Sequence, residues 1–254
     1  MTAGTPRQPI VVIPARLASA RLPGKPLADI HGEPMIVHVW RRAIEAAVGP
    51  VLVACAEAAI VEAVHAAGGE AVLTRPDHPS GSDRIFEAVQ TVDPRGRHDA
   101  VINLQGDLPS IDPRAIRAVL APLAAPAVDI GTIATLIASD EERDNPNMVK
   151  AAVAFAEVPP GQTPVGRALY FSRLPIPSGE GPHYHHVGIY AFRREALARF
   201  IALPPAVLER RERLEQLRAL EAGMRIDVAL VDSAPFGVDT PADLARARAI
   251  LTPK

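Results

Sequence analysis

Short β-branched runs and helical runs take turns along most of this chain, and that alternation is its tightest structural constraint. "PIVVIP", "VLVA", "EAVLT" and "DAVINL" read as buried strands. Between them, "PMIVHVWRRAIEAAV" sets Ile36, Val39, Trp40, Ala43, Ile44 and Ala47 at helical spacing, with Arg41, Arg42 and Glu45 on the other side. "AAIVEAVHAAGG" is a second helix, closed by glycine, and "SDRIFEAVQTV" and "DPRAIRAVLAPL" are two more. Parallel strands need crossovers long enough to hold a helix, so the alternation predicts an α/β fold: a mostly parallel central sheet with helices on both faces.

The pattern loosens between about Ala134 and His186, where "FAEVPPGQTP" and "LPIPSGEGP" are rich in turn formers. This stretch reads as an inserted subregion with strands of its own, "MVKAAVAF" and "RALYFS". Regularity returns with the strand "VGIYAF", one long helix "VLERRERLEQLRALEAG", the strand "RIDVALV" and a closing helix "PADLARARAIL". No stretch has the composition of a linker, so residues 1–254 are expected to form a single domain.

Composition excludes several classes of function. The net charge of −2 provides no basic field for nucleic acid. No apolar run approaches the ~20 residues that span a bilayer, and the lead "MTAGTPRQP" lacks the apolar segment of a signal peptide. The single cysteine, Cys55, permits neither an intrachain disulfide nor a cysteine zinc cluster, which fits a reducing cytoplasm.

In an open α/β sheet, ligands sit beyond the carboxyl ends of the strands. The first strand runs into "ARLASARLPGKPL", where Arg16, Arg21 and Lys25 are spaced among small residues, prolines and a glycine. Arginine offers a fork to paired oxygens and lysine a point charge, so the loop suits phosphate better than solvent. It matches neither the Walker pattern nor the dinucleotide fingerprint. Of 27 basic residues only Lys25, Lys150 and Lys254 are lysines, so an interior lysine marks a need for a compact charge. Asp107, in "QGDLPSID", comes just after another strand end; beside a phosphate grip its carboxylate calls for a divalent cation between them.

Other candidates have ordinary structural explanations. In "FGVDTPADL", Asp239 or Thr240 can cap a helix opened by Pro241. In "HPSGSDRIFEA", Ser82 reads as the helix cap, and Arg84 opposes the helix dipole unless Asp83 or a bound anion offsets it. The histidines of "HYHHVGIY" suit hydrogen bonding to a polar ligand better than metal binding. On a helical wheel, Leu214, Leu217 and Leu220 share one face of "RLEQLRAL" and Glu215 lies opposite, in solvent.

Eight ordered segments, "IPARLASARLPGKPL", "GGEAVLTRPDHPSGSDR", "NLQGDLP", "NPNMVK", "ALYFSR", "HHVGIY", "LEQLRAL" and "GVDTPADL", resemble the 3-deoxy-manno-octulosonate (Kdo) cytidylyltransferases. The resemblance extends over nearly the whole chain. It implies a nucleotidyltransferase fold and Mg²⁺-dependent transfer of CMP from CTP to Kdo for lipopolysaccharide assembly, with release of pyrophosphate. It further implies a cytoplasmic homodimer, with the inserted stretch as the contact. By position, Arg16, Arg21 and Lys25 would hold the triphosphate, and Arg75, Ser80, Gly81 and Gln105 would line the nucleotide pocket. Asp107 and Asp239 would carry the metal, and Lys25, Arg16, Asp107 and Asp239 together would form the catalytic set. Arg84, His186, Tyr190, Glu215 and Gln216 would contact the sugar acid, against the wheel's reading of Glu215.

Three positions depart from the family pattern: Leu108 where a carboxylate is common, His185 where an arginine is common, and Ser178 where an aromatic is common. The last two would bear on sugar preference. An amino-Kdo or a sialic acid is the alternative acceptor, although "RLPGKPL" argues against the sialic acid branch. A nucleotide-binding regulator without turnover is the alternative of a different class.

Overall fold

The computed structural model describes residues 4–252, so the first residues of the N-terminal lead and Lys254 lie outside the described residues. In chain order the first elements are β1 (Pro9–Ala15), β2 (Asp29–Ile30), β3 (Glu33–Pro34), α1 (Met35–Ala46), β4 (Val51–Cys55), α2 (Ala58–Ala66), β5 (Glu70–Leu73), α3 (Gly81–Val92), β6 (Ala100–Asn103) and α4 (Pro113–Ala118). Next come β7 (Ile130–Leu136), α5 (Asp140–Asp144), β8 (Lys150–Val153), β9 (Val165–Ser172), β10 (Tyr184–Arg193), α6 (Arg194–Ala202), α7 (Val207–Glu212), α8 (Gln216–Glu221), β11 (Ile226–Leu230) and α9 (Pro241–Ile250). They fall into two compact units, one of Gln8–Ile116 with the segment from Pro235 onward, the other chiefly Arg117–Ala234.

The first unit obeys the alternation. Its strands run in the order β5-β4-β1-β6, every pair parallel. Val11, Val12 and Ile13 of β1, Val53 and Ala54 of β4, and Val101 and Ile102 of β6 are fully buried, as β-branched strands covered on two faces should be. The chain steps outward from β1 to β4 and β5, then returns to place β6 on the other side of β1. That reversal opens a crevice where the loops after β1 and β6 diverge. A separate cluster of Ile30, Met35, Val238, Leu244 and Ala247 seats α9 against the β2–β3 hairpin region.

In the second unit the pairings run β10-β7-β11-β9-β8, and β8 also pairs β10, so the ladder closes on itself. Only β7–β11 is parallel; β7–β10, β9–β11, β8–β9 and β8–β10 are antiparallel. The expectation of parallel pairing therefore describes the first unit, and antiparallel pairing predominates in the second. The connections from β8 to β9 and from β9 to β10 contain no helix, as antiparallel neighbours permit. The stretch read as an insertion contributes β8 and β9 to this closed set.

Two local expectations change. The long helix over 207–223 is two short ones, because Arg213 adopts a left-handed conformation (φ 56°) that no glycine or proline signals. The Glu209 carboxylate accepts from the Ala206 N–H and from Arg218, tying α7 to α8 across the break. The turn re-aims the residues beyond it: Leu214, Gln216 and Leu217 are buried, and Glu215 is half-buried with Oε1 inside rather than in solvent. The cap of α3 is Ser80 rather than Ser82; the Ser80 Oγ accepts from the Ser82 and Asp83 N–H groups, and Ser82 is buried.

Candidate active site

The loop after β1 is pinned at several points. The Leu17 N–H donates to Glu57 (3.0 Å) and the Gly24 N–H to the Leu17 carbonyl (3.2 Å). Gly24 takes the left-handed conformation (φ 69°) that starts a 3₁₀ turn over Lys25–Leu27, and Pro26 is buried beneath it. Lys25 is thereby carried back toward the end of β6. There Gly106 lets the loops touch: a Cβ at this position would stand 2.8 Å from the Pro14 carbonyl oxygen and 3.3 Å from Ile36. Asp107 is held by its own backbone, its carbonyl accepting from the Val238 N–H (2.9 Å). That bond also brings Asp239 alongside.

The result is a compact charge cluster. The Lys25 ammonium lies 2.9 Å from Asp107 Oδ2 and 3.0 Å from Asp239 Oδ1, and Arg21 meets Asp239 Oδ2 at 2.9 Å. Burial disfavours the charged lysine, but the field and hydrogen bond of Asp107, with those of Asp239, outweigh it and hold its pKa above the usual range. Capping does not use the Asp239 side chain. Thr240 caps α9, Asp243 closes the capping box, and Pro241 opens the first turn. The choice left open between Asp239 and Thr240 as cap thus falls to Thr240, and the Asp239 carboxylate is given to the cations.

Arg16, Arg21, Lys25, Arg84, Gln105 and Asp107 line a cavity of about 430 Å³, with Ser80 and Gly81 at its wall. Four cations against the Asp107 and Asp239 carboxylates leave a net positive concavity, and Arg16 is exposed beside it. The start of α3 adds backbone donors and the positive end of its dipole. Gln105 is steadied by the buried Asn103, which accepts from its Nε2 (3.4 Å). Arg84, only 2% exposed, turns away from Asp83 and donates to the Thr74 hydroxyl (2.6 Å) and to the carbonyls of Arg75 (3.0 Å) and Pro76 (3.4 Å). Burial, then the charge of Arg16, pushes its pKa down. Arg75 is outside the cavity lining; its side chain is 68% exposed and faces Glu87 at 3.5 Å.

His186, Tyr190, Glu215 and Gln216 lie in the second unit. His186 is buried, its Nε2 3.0 Å from the Thr132 hydroxyl and its ring edge-on to Phe171 and tilted to Tyr190. Burial, then neighbouring His185, pushes its pKa down to about 3. Burial, then the Glu215 charge, pushes the Tyr190 phenol up, so Tyr190 stays protonated and able to donate. The amide nitrogen of Gln216 is buried with no hydrogen-bond partner. His185 and His186 are successive strand residues on opposite faces of β10. Burial pushes the His185 pKa down, with Glu142 and Lys150 the charges that act on it, and strand alternation puts the departure at 185 on the face opposite His186. Among the described residues no group of three His, Cys, Asp or Glu is placed to hold a metal, and the histidine run forms no such centre.

The buried His186 gives a measurable pH dependence. Unfolded, its imidazole binds a proton near pH 6.5; folded, it does so only near pH 3. Its contribution is complete above pH 6.5 and is lost as pH falls, at about 1.4 kcal/mol per pH unit while only the unfolded chain takes the proton. Urea unfolding of His186→Gln between ~pH 6 and ~pH 4.5 is expected to give a slope shallower by about that amount. Equal slopes would place a charged histidine in the fold.

Comparison with known proteins decides what such a cavity belongs to. The sequence profile described as "Cytidylyltransferase" matches residues 10–226. A 3-deoxy-manno-octulosonate cytidylyltransferase of Paramagnetospirillum magneticum is 66% identical over 96% of this chain and 97% of its own, and one of Rhodospirillum centenum is 67% identical over 100% and 97%. The chain belongs to the 3-deoxy-manno-octulosonate cytidylyltransferase family. A solved CMP:2-keto-3-deoxy-manno-octonic acid synthetase complexed with CTP superposes with a TM-score of 0.85 at 42% identity, covering 96% of this chain and 98% of that one. The protein is therefore a nucleotidyltransferase with an α/β fold of that type.

Sequence reasoning passed over several residues that shape this cytidylyltransferase. Glu57 anchors the basic loop, Asn103 holds Gln105, and Thr132 ties His186 to the Ile189 carbonyl at 2.8 Å, next to the irregularity in β10. Only Asn103 carried a signal, a polar residue ending an apolar strand. Leu108 is buried at 8% exposure beside Gly237, so the missing carboxylate is replaced there by packing.

Proposed function

We infer that this cytidylyltransferase joins CMP, taken from CTP, to the anomeric hydroxyl of Kdo, activating the sugar acid for lipopolysaccharide synthesis. The observation that carries this reading is the positive cavity at the β1–β6 switch point, with two carboxylates drawn onto one lysine at its rim. In the reaction the anomeric oxygen bonds to the α-phosphorus of CTP, the bond from that phosphorus to the bridging oxygen breaks, and pyrophosphate leaves. The hydroxyl proton passes to solvent.

Each group has a physical task. Arg16, Arg21 and Lys25 bind the triphosphate and take up the charge that moves onto pyrophosphate. Ser80, Gly81 and Gln105 orient the nucleotide, with the α3 amide groups available to phosphate oxygen, while Arg75, outside the lining and paired with Glu87, would have to leave that pair to join them. The family resemblance assigns Arg84, His186, Tyr190, Glu215 and Gln216 to the sugar acid, and the remaining work is alignment of the two substrates. Asp107 and Asp239 fit Mg²⁺, which takes one or two carboxylates and completes its shell with phosphate oxygens and water. They converge on a single ammonium in the protein alone, so the donors for a shared cation are already assembled. When bound, the ion supplies charge neutralisation and polarisation of the α-phosphate.

Pyrophosphate release with CTP and Mg²⁺ tests the reading, with Kdo, an amino-Kdo and a sialic acid compared and UTP as control. Release with CTP and Kdo is expected. Preference for another acid would move the acceptor, and CTP binding without release would make the protein a regulator. Arg84→Ala is expected to raise the KM for the sugar acid more than that for CTP; the reverse order would make Arg84 a nucleotide residue. The reading includes a cytoplasmic homodimer joined through residues about 135–186, and light scattering in solution checks the dimer.

A further inference from the structure

Lys150 ranks among the largest fully buried side chains of the chain, and its head is an ammonium. All three donors of that ammonium are used, on the carbonyls of Asn145 (2.7 Å), Met148 (2.6 Å) and Arg173 (2.8 Å). Burial pushes its pKa down, and Asp144 acts on it only through its charge. A guanidinium is a planar fork and cannot direct three bonds from one centre onto converging carbonyls. That explains why a chain that otherwise writes its cations as arginine keeps lysine here.

The tripod sits where several backbone segments meet. On β8, Lys150 is paired with Ser172 of β9 and His185 of β10. Val149, between the Met148 anchor and Lys150 itself, accepts the backbone N–H of His186 through its carbonyl (2.8 Å). The third anchor, Arg173, donates its N–H to Glu212 (3.2 Å), as does the Ser172 hydroxyl (3.2 Å). Glu212 ends α7, just ahead of the left-handed Arg213 and the corner that carries Glu215 and Gln216.

From this geometry we propose that Lys150 is a positioning residue for the sugar-acid half of the reaction. Its ammonium locks the 145–150 segment to the end of β9, and thereby sets His186 on one side and the 212–216 corner on the other. The proposal rests on the assignment of those residues to the sugar acid and adds the element that aligns them.

The test compares Lys150→Met with the wild-type enzyme in CTP and Kdo kinetics. The expected result is a KM for Kdo raised roughly 10-fold or more, as displacement of positioned groups by a fraction of an ångström produces, with the KM for CTP within about 3-fold. Lys150→Arg is expected not to restore it. Equal rises in both KM values, or none, would overturn the proposal. A wild-type enzyme silent with Kdo would overturn the functional reading instead. Where Lys150→Met does not fold, hydrogen exchange on the wild-type enzyme answers: Kdo is expected to slow exchange at 145–150 together with 185–187 and 212–216. Protection at the latter two without the first would overturn it.

Discussion

Asp239→Asn lowers turnover at least ~10²-fold and leaves CTP binding within a few-fold, by analogy with the loss of one preorganised transition-state stabiliser. The fold makes this a clean substitution. Asp239 does not cap α9, since Thr240 and Asp243 do so between them, and asparagine keeps the shape and one oxygen. What disappears is one of the two negative charges that converge on Lys25 and the partner of Arg21. The phosphate-facing cations remain, so nucleotide affinity survives while the charge needed at the reacting phosphate is lost. Single-turnover rates and CTP calorimetry on the same preparation measure the two separately. Unchanged turnover would reduce Asp239 to a structural partner of Lys25.

Lys25→Met is expected to lower turnover by roughly 10²–10³-fold and, unlike Asp239→Asn, to weaken CTP binding as well. Its ammonium stays charged at any working pH because Asp107 and Asp239 hold its pKa up. Removing it takes a point charge from the triphosphate and leaves the Asp107 and Asp239 carboxylates without the cation they share. Lys25→Arg is expected to recover little, because a fork cannot sit between two carboxylates as a single centre does. Turnover recovered by arginine would mean that any cation serves.

Features encoded locally were legible in the sequence, and those set by distant partners were not. The β-branched runs and helical spacings located β1, β4, β5, β6 and the helices between them, and the loop that leaves β1 stood out by its cations alone. Asp107 was legible because it comes just after a strand end. The partnership of Asp239 was not: it lies 214 positions from Lys25, and the local pattern supports a cap equally well. Glu215 was misread because a helical wheel assumes one continuous helix, whereas Arg213 breaks it and turns the carboxylate inward. The closed antiparallel ladder of the second unit was hidden for a related reason. Its pairing is set by long-range register, which the turn-rich sequence between β7 and β10 does not report. Lys150 was conspicuous as a rare lysine, but its three carbonyl partners are backbone atoms that no sequence displays.

The most direct test of the central claim traces phosphorus from CTP. With CTP labelled at the α-phosphate and Kdo as acceptor, the account predicts that the label appears in a product carrying the sugar, and that label placed at the γ-phosphate leaves entirely as pyrophosphate. Label from the α-position recovered as free CMP, with no sugar-bearing product, would contradict transfer to Kdo.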